Sequence, residues 1–179
     1  MNVWEKFDII LQMVEAIQSL HKNGLVHRDL KPGNILFDSE KRLRLIDFGE
    51  SMECWQKVQK DNYRKVGATV PYSPLECSVI CPEGYSKLKI DNWSLGIVIS
   101  EILNNRMPIT YSRCLLNEIK KGWNSGEFFL CYNLRAKNDL HSMILPLKIV
   151  CTMLLRLRYR ERFCLTGVLE LLKFFKSYK

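Results

Sequence analysis

Two short apolar runs, Ile35-Leu36-Phe37 and Leu43-Arg44-Leu45-Ile46, separated by the polar turn Asp38-Ser39-Glu40-Lys41, constrain this chain most. The first is a continuous apolar strand and the second alternates, so the pair predicts a tight hairpin. Asn34 opens the first strand and Asp47 closes the second. Folding the hairpin therefore carries an amide and a carboxylate to one end despite the sequence between them. The residues just upstream are Val26-His27-Arg28-Asp29-Leu30-Lys31-Pro32-Gly33-Asn34, and Ile46-Asp47-Phe48-Gly49 follows eighteen residues after Asp29. Asp29 and Lys31 lie a few residues ahead of Asn34 in the same loop.

The rest of the chain reads as helical. Ile9, Ile10, Met13, Ala16, Ile17 and Leu20 recur at spacings of three and four, which predicts an amphipathic helix over residues 3–22. Asn23-Gly24 is a left-handed-tolerant stop for it. Residues 90–103 form a second, more apolar helix with Asp91 near its start. Further helices are expected near 112–121, 140–156 and 164–177, with breaks at 122–126 and 159–163. Residues 50–75 are polar and read as an irregular loop, and loops of that length are commonly functional. No repeat, low-complexity tract or linker divides the 179 residues, so one domain is expected.

Composition excludes several classes. A hydrophobic fraction of 47% is that of a folded chain rather than a disordered one. No apolar run is long enough to span a membrane, and the first residues lack the order of a signal peptide. An intracellular, cytoplasmic location is therefore expected, with the nucleus open as well. Seven Cys without a CxxC pair suit a reducing compartment better than a disulfide framework or a zinc site. The net charge of +8 is uneven. Residues 1–103 carry 13 Lys and Arg against 14 Asp and Glu, whereas residues 104–179 carry 14 against 5. No aromatic-interleaved nucleic-acid motif accompanies the basic part, so a solvated helical surface is expected there, and nucleic acid is not the expected partner.

The gathered side chains suit phosphoryl transfer, which asks a protein mainly to aim a nucleophile and hold charged oxygens. Asp29 can accept a hydroxyl proton. Asn34 and Asp47 offer hard oxygens of the kind Mg²⁺ takes alongside phosphate. Lys31 can reach the transferring phosphate as a point charge.

HRDLKPGN followed by DFG resembles the catalytic loop and metal-binding motif of the eukaryotic protein kinases. The resemblance implies Asp29 as catalytic base, Asn34 and Asp47 as metal ligands, and Leu36 beneath the adenine of ATP. It implies a place for His27 and Phe48 in the apolar spine. Lys31 is similar to the serine/threonine class. Gly67-Ala68-Thr69-Val70-Pro71-Tyr72-Ser73-Pro74-Leu75-Glu76 resembles the end of an activation segment, with one additional residue and Leu75 where the family has Pro. Glu76 is then expected to pair with Arg162. Asp91-Asn92-Trp93-Ser94-Leu95-Gly96 resembles the opening of the family's central helix, whose Asp braces the catalytic loop. Arg28 implies control by phosphorylation of a loop hydroxyl, for which Ser51, Tyr63, Thr69 and Ser73 are available; Thr69 is the preferred one.

No Gly-x-Gly-x-x-Gly and no Val-Ala-x-Lys strand occurs in these residues. The expected fold class is therefore mainly α, a kinase-like C-lobe over residues 1–179, helical with a short β-hairpin carrying the catalytic and metal-binding loops. The expected function is an incomplete serine/threonine protein kinase using ATP and Mg²⁺ on a protein substrate. A partner chain that supplies or covers the front-lobe face is expected. The alternative is a non-catalytic, pseudokinase-like scaffold of the same fold.

Overall fold

The computed structural model describes residues 1–55, 69, 72–74, 77, 86–104, 144–156 and 159–178. The expected helix at 112–121, the break at 122–126 and Glu76 lie outside these residues.

Helix α1 spans Val3–Lys22, matching the range its periodicity predicts. A reciprocal cap starts it: the Asn2 side chain accepts from the Glu5 amide at 2.9 Å, and Glu5 accepts from the Asn2 amide at 2.8 Å. The helix stops at Asn23, and Gly24 turns the chain with φ 76°. Only Gly24 of the expected stop pair takes the left-handed conformation. A Cβ on Gly24 would also lie 1.9 Å from the Trp55 ring, so geometry and space both require glycine there.

Strand β1 (Leu25–Val26) follows and pairs antiparallel with β4 (Met52–Glu53). This corrects the reading of residues 50–75 as irregular. Two residues carry no visible periodicity, and the strand is defined by its partner rather than by its own pattern. A 3₁₀ turn, Pro32–Asn34, leads into β2 (Ile35–Phe37), which pairs antiparallel with β3 (Leu43–Leu45). The register sets Ile35 opposite Leu45 and Phe37 opposite Leu43. Gln12 of α1 pins this hairpin to the helix. Its side-chain oxygen accepts from the Leu43 amide at 2.9 Å, and its nitrogen donates to the Lys41 carbonyl at 3.3 Å.

Helix α2 (Leu88–Asn104) is the centre of the molecule, with every residue from Ile90 to Ser100 buried. Such a helix needs neighbours on all sides. Helix α3 (Ile144–Leu154) packs on one side, close enough that a Cβ on Gly96 would lie 2.8 Å from Leu155. Helix α1 covers another side, and α4 (Leu165–Lys176) packs against α1. Phe7, Ile10, Met13, Val14 and Ile17 of α1 join Trp93, Leu95 and Ile99 of α2 in one core with Leu147, Val150, Leu154, Val168 and Leu172. The break expected at 159–163 contains the 3₁₀ turn Tyr159–Glu161. No helix among the described residues is long and apolar enough to cross a membrane.

Candidate active site

The rigid support of the site is Asp91, fully buried on α2. Its carboxylate accepts from the consecutive amides of His27 and Arg28, each at 2.8 Å, and lies 2.9 Å from His21 Nε2 on α1. Arg28 has φ 71°, a conformation that costs a side-chain-bearing residue about 1–2 kcal/mol. The two bonds to Asp91 hold it there and turn the chain so that Asp29 faces the hairpin.

Asp29 is buried at 7% exposure and carries the densest polar contacts of the site. Its Oδ2 accepts from Lys31 Nζ at 2.6 Å, and its Oδ1 accepts from the Thr69 hydroxyl at 2.9 Å and the Thr69 amide at 3.2 Å. Lys31 Nζ also donates to Thr69 Oγ1 at 3.0 Å. Burial pushes the Asp29 carboxyl up, but the bonds from Lys31 and Thr69 and the Lys31 charge outweigh it. The net effect is a pKa below the ordinary carboxylate value, so Asp29 is an anion at neutral pH.

Asn34, also buried, donates its side-chain nitrogen to the Asp29 carbonyl at 2.8 Å and to Asp29 Oδ2 at 3.2 Å. That commits the amide nitrogen and leaves the amide oxygen as the acceptor turned away from Asp29. The Ile46 amide donates to the Asn34 carbonyl at 3.0 Å, extending the hairpin by one step. This bond brings Asp47, the next residue, to the same end as Asn34. Asp47 is exposed and has φ 62°; among the described residues its Oδ1 accepts a long 3.4 Å bond from the Gly49 amide. Two oxygen donors, one buried and one exposed, match what Mg²⁺ takes from protein when phosphate and water fill its remaining positions. No group of three or more His, Cys, Asp and Glu forms a fuller metal cage among the described residues.

An apolar wall stands beside these groups. His27 is fully buried, its Nε2 is 3.1 Å from the Ile46 carbonyl, and its ring lies 5.1 Å from that of Phe48. A carbonyl can only accept, so His27 carries its proton on Nε2. Leu36, Ile46 and Phe48 are 50%, 37% and 46% exposed, an apolar surface next to Asp47.

The structure thus brings Asp29, Lys31, Asn34 and Thr69 into contact, sets Asp47 at the hairpin end beside Asn34, and places Asp91 beneath them. Arg162 is buried against the first turns of α2, the end that also carries Asp91. Its Nε donates to the Arg156 carbonyl at 2.7 Å, one Nη donates to the Lys89 carbonyl at 3.0 Å, and the guanidinium stacks 4.8 Å from the Trp93 ring. Its expected pairing with Glu76 falls outside the described residues. Sequence reasoning missed His21 and Gln12, which fasten the loop and the hairpin to α1. The only signal was two polar residues inside a periodic apolar helix.

The model of the protein kinase domain matches residues 2–170. A probable serine/threonine-protein kinase of Dictyostelium discoideum is 38% identical over 120 residues, covering 56% of this chain and 25% of its own length. Sperm motility kinase 3A of Mus musculus is 31% identical over 135 residues, covering 75% of this chain and 25% of its own. The ovarian-specific serine/threonine-protein kinase Lok of Drosophila melanogaster is 37% identical over 118 residues, with coverages of 62% and 24%. The chain spans about a quarter of the length of these curated relatives.

Proposed function

The chain belongs to the protein kinase domain family, and on that premise we propose that it is the C-lobe of a serine/threonine kinase. The reaction is transfer of the ATP γ-phosphoryl group to a Ser or Thr hydroxyl of a protein. One observation carries this reading: a buried, anionic Asp29 is fixed by Lys31 and Thr69 at the mouth of a hairpin that ends in Asn34 and Asp47.

The roles follow from that arrangement. The acceptor hydroxyl binds where Thr69 now bonds Asp29, and Asp29 takes its proton as the oxygen attacks phosphorus. The bond from oxygen to the γ-phosphorus forms, the bond to the β–γ bridging oxygen breaks, and ADP leaves. Lys31, already shared between Asp29 and Thr69, offsets charge on the transferring group. Asn34 and Asp47 would hold Mg²⁺, which supplies electrostatic stabilisation of the phosphate oxygens when bound. Leu36 offers an apolar platform for adenine. Positioning is most of what this reaction needs from a protein, and Asp91 supplies it from below.

The exposed Leu36, Ile46 and Phe48 mark the face on which a front lobe with the Gly-rich loop and anchoring Lys would sit; neither motif is among the 179 residues. We therefore expect this chain by itself to show negligible Mg-ATP affinity and no transfer. The test is phosphate incorporation from radiolabelled ATP into a generic protein substrate, with Asp29→Asn and Asp47→Asn as controls. Transfer by this chain that vanishes in both variants would overturn the need for a front lobe. Should an added front lobe restore no transfer, the non-catalytic scaffold becomes the better reading.

A further inference from the structure

The stretch Lys173-Phe174-Phe175-Lys176-Ser177-Tyr178-Lys179 holds three lysines, three aromatics and no acid. None of these residues has a part in the proposed phosphoryl transfer. Helix α4 buries Leu165, Val168, Leu169 and Leu172 against the core. Phe174 and Tyr178, four residues apart, share a different face and are 55% and 71% exposed. Phe175, half-buried against the core, supports them from the side, with its ring centroid 5.6 Å from that of Phe174. The Phe174 and Tyr178 rings meet edge to face at 5.0 Å. The three rings therefore make one apolar knob at the end of the helix.

The backbone beneath the knob is already paired. A helix end ordinarily leaves its last carbonyls to water. Here the Lys173 and Phe174 carbonyls each accept from the Ser177 amide at 3.2 Å, and the Phe175 carbonyl accepts from the Tyr178 amide at 3.2 Å. The Ser177 hydroxyl adds a 2.7 Å bond to the Phe174 carbonyl. An end whose polar groups are satisfied internally loses little on leaving water.

The flanking charge is basic. Lys173 and Lys176 keep 59% and 49% of their side chains exposed. The acids near them are Glu15 and Asp8 on α1, 3.8 Å from Lys173 and 3.5 Å from Lys176, and Glu170 one turn before Phe174. Both ion pairs are long and solvated, and pairs of that kind are worth little, so the ammonium groups are free to turn to another anion.

We propose that the end of α4 docks on an anionic lipid surface, with the aromatic knob at headgroup depth and the lysines on the headgroups. Aromatic rings beside lysines suit a boundary that is apolar below and negatively charged above. Single-stranded nucleic acid uses the same residue types, but it stacks bases on open ring faces. The T-shaped contacts of Phe174 use ring faces up inside the cluster, which favours the lipid surface. The attachment is peripheral, and it stands apart from the proposed kinase reaction.

The intact chain is titrated with phosphatidylcholine vesicles, with and without phosphatidylserine, and the bound fraction is read by sedimentation. Binding is expected with phosphatidylserine only, and it should weaken as salt rises. Phe174→Ala with Tyr178→Ala should weaken it about tenfold or more. Lys173→Gln with Lys176→Gln should weaken it about fivefold for each lysine. Leu145→Ala, which removes a 64% exposed side chain on α3, should leave it unchanged. Urea midpoints close to that of the parent chain show that the variants fold. No binding, equal binding to neutral vesicles, or equal binding by the knob variants and the parent chain overturns the proposal. Tighter binding of a single-stranded oligonucleotide that is lost in the same variants overturns it in favour of nucleic acid.

Discussion

Removal of the Asp91 carboxylate is the sharpest perturbation of the site that leaves every reacting side chain in place. Asp91→Ala strips acceptors from the buried His27 and Arg28 amides and from His21. Each buried N–H left without a partner costs about 1–3 kcal/mol, so the two amides together cost about 2–6. Arg28 is then free to leave its left-handed conformation, which returns about 1 kcal/mol. The expected net loss is about 1–5 kcal/mol, a large part of the roughly 5–15 kcal/mol that holds a domain together. Urea denaturation followed by tryptophan fluorescence gives that number, with the buried Trp93 as reporter. Hydrogen exchange at the His27 and Arg28 amides gives the local effect. Both should exchange faster in the variant by a larger factor than the amides of α4, which touch neither residue. Asp91→Asn should be nearly as damaging, because an amide can accept from only one of the two N–H groups and presents a donor to the other. A loss under about 1 kcal/mol, with unchanged protection at residues 27 and 28, would refute the clamp.

Other outcomes follow from single contacts. Gly96→Ala places a methyl 2.8 Å from Leu155 and 3.0 Å from Leu154, and should cost about 1–3 kcal/mol by overpacking the α2–α3 contact. Equal midpoints in urea for the two proteins would contradict that packing. Gly24→Ala meets Trp55 and a φ of 76°; adding Trp55→Ala should recover the steric part and leave about 1 kcal/mol of backbone strain. Burial and the 3.0 Å bond to Glu101 raise the Tyr72 phenol to about 12 from 10.0. The unfolded chain therefore loses this proton first, and the stability it provides should be complete below pH 10 and fall as pH rises toward 12. Tyr72→Phe should flatten that alkaline limb, read by unfolding midpoints across the range. Asp38, held near 2 by the Arg42 amide and the side chains of Arg42 and Arg44, works in the opposite sense. Its stabilising charge is present above 3.8 and lost as pH falls toward 2, so Asp38→Asn should lose the acid-limb slope there.

Much of this was legible in the chain, for reasons that differ by element. Helix α1 shows because one face meets the core and the other meets water, so Ile10, Met13 and Ile17 fall at helical spacing. Helix α2 shows as an apolar run but not as a central helix, since burial on all sides erases the periodicity that would reveal its orientation. The β2–β3 pair is visible because a polar turn separates two apolar runs. The β1–β4 pair is not, because two-residue strands exist only through each other. At the site, Asp29, Asn34 and Asp47 stood out because they lie in two motifs that resemble those of the protein kinases, with chemistry that suits phosphoryl transfer. Those that act by holding others, His21 and Gln12, have sequence surroundings like any surface residue. Their partners are 29 to 70 positions away in the chain, a distance that local pattern does not bridge.

The proposed roles of Asn34 and Asp47 as the pair that meets metal-bound nucleotide at the hairpin end have a direct test. Paramagnetic broadening reads this directly, because it registers transient contacts at affinities negligible in a binding assay: Mn²⁺ with ATP is added in substoichiometric steps to the isotope-labelled chain and amide signals are followed. The account predicts broadening first at Asn34, Asp47 and their neighbours in the hairpin, and its loss in Asp47→Asn. Broadening scattered over surface carboxylates, or unchanged by Asp47→Asn, would contradict it.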